Sequence, residues 1–132
     1  MNGLKFYLLL NAFLYAILTI WCLVKPAGTS HYLGYDFLNS SGKVEYLSIY
    51  VGLQFGFAVF LALCAFYGNL SIGGLIFCVS IYLGVMITRT CSALYYGNVS
   101  AVTFYVGALE YALGIWGIIL LILSTKEHVI LE

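Results

Sequence analysis

From Tyr46 to Thr88 no residue is charged. One helix crossing a bilayer needs ~20 apolar residues, so this run holds two spans and a turn. Tyr67-Gly68-Asn69 carries the strong turn signal inside it. The reading is a second span over about 44–66 and a third over about 70–91, with Asn69 as the N-cap of the third. Glu45 is placed in the first turn of the second span, where the helix dipole favours an acid.

Two more apolar runs flank this pair. Phe6 to Val24 is uncharged between Lys5 and Lys25. A secretory signal has a shorter apolar region, ~7–15 residues, and a small-residue cleavage site. Here Trp21 and Lys25 close the run, which reads as a retained span over about 4–24. Lys5 and Lys25 can extend toward the two faces of the membrane, and Pro26 stops the helix. Residues 26–43 then read as a polar connector. Tyr32, Tyr35 and Phe37 give it an amphipathic middle suited to the headgroup layer or to a lid.

The last run poses the sharper problem. Tyr111 to Thr125 carries no charge, and at ~1.5 Å per residue it makes only roughly 22 Å of helix. The hydrocarbon core is ~30 Å thick. A fourth span must therefore reach back to about residue 100 and end near 124, taking Glu110 inside. An acid at membrane depth costs on the order of 2.5–3.5 kcal/mol by insertion scales, so something must pair, protonate or wet it.

The chain is 64% hydrophobic and 8% charged, whereas soluble domains carry ~25% charged residues. The expected fold is all-α: an integral membrane four-transmembrane-helix bundle, antiparallel up-down, in one domain with both termini on the same side. Net formal charge is zero, which leaves no basic face for nucleic acid. The cysteines show no CxxC spacing and read as small buried side chains, with a Cys22–Cys91 disulfide the lesser alternative. His31 and His128 lie outside the apolar runs, which argues against a metal or haem between helices. No cofactor is expected.

Helical arithmetic brings charges together. Counted from the turns near Gly68 and Gly97, Glu45 and Arg89 lie nearly level. Arg89 and Glu110 differ by about 7 Å along the axis, within reach of an arginine. The expected cluster is Glu45, Arg89 and Glu110, with Tyr50 and Gln54 adding hydrogen bonds. It is either an ion-paired staple or a ligand, ion or proton site. Gly52 and Gly56 form a GxxxG pair, and Gly107 and Gly114 share one helical face with Glu110. All four are expected to let helices approach closely.

The stretch Glu45-Tyr46-Leu47-Ser48-Ile49-Tyr50-Val51-Gly52-Leu53-Gln54-Phe55-Gly56 resembles the second-helix signature of a bacterial family of membrane proteins known only as a domain of unknown function. Leu47 stands where that pattern has Arg, and Val51 where it has the first Gly of a pair. In overall plan the chain is similar to the DoxX/DoxD-like group of small four-helix membrane proteins. The resemblance implies an arginine late in helix three and an acid within helix four, which Arg89 and Glu110 match. It also implies a bacterial inner membrane.

No arrangement of Ser, His and Asp, no metal-ligand set and no phosphate loop is found, so no catalytic residue is assigned and an enzyme is not expected. His31 and Asp36, the closest candidates, read as solvated connector residues. The leading expectation is a non-enzymatic accessory subunit or lipophile-binding module, with membrane lipids and a larger membrane complex or homodimer as partners. The alternative is a proton-coupled small transporter working as a homodimer through Glu110. The lysines are too evenly spread to fix orientation; the termini are taken as cytoplasmic.

Overall fold

The computed structural model describes the backbone of residues 2–130 and the side chains of residues 3–125. The fold is all-α; no strand occurs among the described residues. Four helical stretches are long and apolar enough to cross a membrane: Gly3–Val24, Ser40–Phe66, Gly68–Tyr96 and Ala101–Thr125. The chain is an integral membrane protein of the four-helix class. It divides into two compact units, Met1–Leu70 and Ser71–Glu132.

The first unit is a helical hairpin with a helical connector. Helix α1 (Asn2–Val24) runs antiparallel to a second span built from α3 (Ser40–Leu47), a π-helical segment (Ser48–Leu53) and α4 (Gln54–Phe66). The direction follows from contacts at both ends. Lys5 Nζ lies 5.2 Å from the Phe66 ring, and the Tyr46 hydroxyl lies 3.5 Å from Cys22 Sγ. Tyr15 and Phe57 meet edge to face midway at 5.5 Å. Tyr7, Leu8, Leu61 and Cys64 are fully buried. Ala58, Leu61 and Ala65 form the packed stripe of α4 at helical spacing.

The connector is more ordered than its polar composition suggested. Pro26 ends α1, but it also opens α2 (Pro26–Tyr32) as that helix's first residue. A proline is favoured there because its missing N–H is one the helix would leave unpaired. Gly34, at φ +85°, closes α2. The Tyr35 amide donates to the Ser30 carbonyl and the Gly34 amide to the His31 carbonyl, the paired bonds of a Schellman cap. Asn39 then caps α3, its side chain accepting from the Gly42 amide at 2.9 Å. Because α3 starts at Ser40, Glu45 lies beyond the first turn, outside the dipole's main reach. Asn69 is likewise not the expected cap: it sits in a 3-10 turn, Gly68–Leu70, and the next helix begins at Ser71.

The second unit is a simpler hairpin of α5 (Ser71–Tyr96) and α6 (Ala101–Ile130). Helix α5 runs past the expected end near 91, since nothing between Ser92 and Tyr96 breaks it before Gly97. Gly97 and Asn98 take left-handed φ of +63° and +44° and turn the chain. The helices come closest at glycines. A Cβ on Gly114 would stand 2.8 Å from Met86 Sδ and 3.0 Å from Tyr82 Cβ. Within the first unit Gly52 and Gly56 face open space: a Cβ on either meets no atom within 4 Å. Gly56 lies two residues before Ala58, and so on the opposite side of α4 from the packed stripe.

Candidate functional sites

The second unit holds the charge pair. Arg89 Nε donates to Glu110 Oε2 at 2.7 Å and Nη2 to Oε1 at 2.9 Å. This two-pronged geometry is the strong form of the arginine–carboxylate bond. The side chains are 29% and 21% exposed, so the pair is only partly covered. Gly107, one turn before Glu110, makes room for it, since a Cβ there would stand 2.9 Å from Arg89 Cδ. Thr90 donates to the Met86 carbonyl, and the Tyr111 hydroxyl lies within hydrogen-bond reach of both that carbonyl and Thr90 Oγ1, donating to one of them.

Beside the pair, α5 and α6 part into a cleft of about 750 Å³. Val85, Thr88, Arg89, Phe104, Ala108 and Tyr111 are among its lining residues. The walls are mainly apolar. Glu110 takes two of the five guanidinium N–H donors, which leaves donors over for a guest.

Glu45, Tyr50 and Gln54 belong to the first unit. Glu45 is exposed and makes no ion pair among the described residues. The Tyr50 hydroxyl donates to that of Tyr35 at 3.1 Å. Gln54 Oε1 is covered and finds no donor among the described residues. The structure therefore assigns both of Arg89's carboxylate bonds to Glu110.

No protein-family model, characterised protein or solved structure matches the chain.

The remaining sequence candidates are polar or packing residues. His31 Nδ1 lies 3.7 Å from an Asp36 carboxylate oxygen, both side chains largely in solvent. Cys22 is buried, Cys91 exposed, and both are free thiols. Lys126, Glu127 and His128 lie outside the residues whose side chains are described.

Sequence reasoning overlooked Thr88, Thr90 and Tyr111. Its available signal was the two threonines flanking Arg89. It also overlooked Tyr46. That ring is buried, its hydroxyl donating to Thr29 Oγ1 at 2.9 Å. Here the signal was Tyr46 and Tyr50 at i, i+4, which puts both rings on one helix face.

Proposed function

We propose that this protein is a non-enzymatic membrane module that binds a lipophile through the α5–α6 cleft. The observation that carries this reading is a mainly apolar cavity of about 750 Å³ with Arg89 in its lining. That volume falls within the ~300–1,000 Å³ of small-molecule pockets. An apolar body would lie along Val85, Phe104 and Ala108. A hydrogen-bond acceptor on its head would meet the guanidinium donors that Glu110 leaves over. The Arg–Glu pair nearly cancels its own charge, so a neutral carbonyl or ester head suits it better than a dianion.

Membrane placement belongs to the same reading. Glu110 lies about 14 Å of helix beyond Ala101, inside a stretch apolar enough to span. Pairing with Arg89 offsets the cost of carrying an acid to that depth. The same pair fits the helix-three arginine and helix-four acid of the uncharacterised bacterial family that the sequence resembles. A bacterial inner membrane with cytoplasmic termini is part of the proposal. The pairing weighs against the transporter alternative, in which Glu110 must be free to take up and release protons.

The test is to purify the chain in mild detergent and identify retained lipophiles by native mass spectrometry. Ala108→Trp fills the cleft from one wall and keeps both Arg89 and Glu110 in the chain. Wild type should retain a defined lipophile, and Ala108→Trp should lose most of it with unchanged helical circular dichroism. Equal retention in both proteins would refute the assignment.

A further inference from the structure

A second cavity lies wholly within the first unit, and its chemistry differs from that of the α5–α6 cleft. It is a cleft of about 440 Å³ where the connector meets the start of the second span. Tyr35, Phe37, Tyr46 and Tyr50 line it, together with the carboxylates Asp36 and Glu45. Tyr46 and Tyr50 stack at 4.6 Å with planes 26° apart. Phe37 stands at 69° to Tyr46, with ring centres 5.2 Å apart. Tyr35 stands at 63° to Tyr46 and 56° to Tyr50. Two near-parallel rings thus meet two steeply inclined ones in one aromatic cluster, and all four residues line the cleft.

This aromatic wall is built by specific backbone features. The Schellman cap at Gly34 turns Tyr35 back over the second span, and Asn39 fixes where α3 begins. Tyr46 is anchored from below by its bond to the buried Thr29. Tyr50 sits in the π-helical segment, a wide turn often found at functional sites.

We propose that this cleft binds a quaternary ammonium group. Aromatic faces attract cations, and boxes of aromatic rings favour trimethylammonium over well-hydrated small cations. Asp36 and Glu45 add negative charge at the rim. His31 Nδ1 lies 3.7 Å from the Asp36 carboxylate, and Glu45 has no ion partner among the described residues. The volume falls within the range of small-ligand pockets. The guest is either a choline-type lipid headgroup or a soluble quaternary ammonium compound, and both present the same group.

The test uses the whole chain in maltoside micelles with ring-¹³C tyrosine, titrated with choline and tetramethylammonium and followed by NMR. Both cations should shift tyrosine-ring signals saturably. Neohexyl alcohol, the neutral carbon isostere of choline, should not. Phe37→Leu and Glu45→Gln alter partly or fully exposed side chains. Each should weaken choline binding about two- to fivefold, the scale of one exposed cation–π contact. Repeating the titration in nanodiscs separates the sources. Weaker apparent choline binding in phosphatidylcholine than in phosphatidylglycerol discs supports the site with a lipid headgroup as guest, and equal binding supports it with a soluble guest. Absence of any shift, an equal response to neohexyl alcohol, or wild-type affinity in both variants would overturn the proposal.

Discussion

Gly107→Ala offers the most direct check on how the second hairpin holds its charges. The added Cβ would stand 2.9 Å from Arg89 Cδ and 3.5 Å from Nε, whereas carbon atoms rest at ~3.5–4.0 Å. Arg89 must therefore yield by on the order of half an ångström. A free arginine would do so at little cost, but this one is held at two points by Glu110. Losing or bending one such bond costs ~1.5–3 kcal/mol. Replacing glycine by alanine inside a helix returns ~1 kcal/mol. The net expectation is a loss of about 0.5–2 kcal/mol. Gly52→Ala is the control: with no atom within 4 Å of its Cβ, only the helix-propensity gain of up to ~1 kcal/mol remains. The two variants should thus differ by about 1.5–3 kcal/mol, or at least tenfold in the folding equilibrium. Reversible unfolding in mixed detergent micelles, followed by circular dichroism, measures that gap. Adding Gly107→Ala to an Arg89→Ala, Glu110→Ala background should stabilise the protein, because the obstacle is gone. If Gly107→Ala is as stable as Gly52→Ala, or destabilises equally without Arg89, the steric argument is wrong.

Other consequences can be read the same way. Gly114→Ala should destabilise the second hairpin by ~1–3 kcal/mol, since Tyr82 Cβ, 3.0 Å away, cannot swing aside as a side-chain tip can; thermal melting checks it. Asn39→Ala should cost ~1 kcal/mol and speed hydrogen exchange at the Gly42 amide, which the Asn39 side chain now holds. Tyr46→Phe keeps the ring contacts but removes the bond to Thr29, so a loss of ~0.5–1.5 kcal/mol is expected. An unchanged melting temperature in Tyr46→Phe would mean that the buried hydroxyl pair contributes nothing.

What could be read from the sequence depended on whether a feature followed uniform helical geometry. The four spans could, because a hydrocarbon environment needs long uncharged runs and little else. The Arg89–Glu110 pair could too: both residues lie on regular helix either side of the Gly97 turn, so counting residues gives their levels. Placing Glu45 by the same arithmetic assumed one unbroken α-helix from about 44 to 66. The second span is instead interrupted by a π-helical segment at Ser48–Leu53, which widens the turn. The spacing of Gly52 and Gly56 shows that a close approach is possible, not which side of the helix another helix meets. The aromatic cleft was harder still. It depends on Pro26 opening a helix, Gly34 reversing the chain and Asn39 starting the next helix, each a local signal with several outcomes. Only their combination brings Tyr35 and Phe37 against Tyr46 and Tyr50. A connector read as a headgroup-layer segment or a lid thereby forms one wall of a cavity, in which aromatic rings and the carboxylates of Asp36 and Glu45 come together.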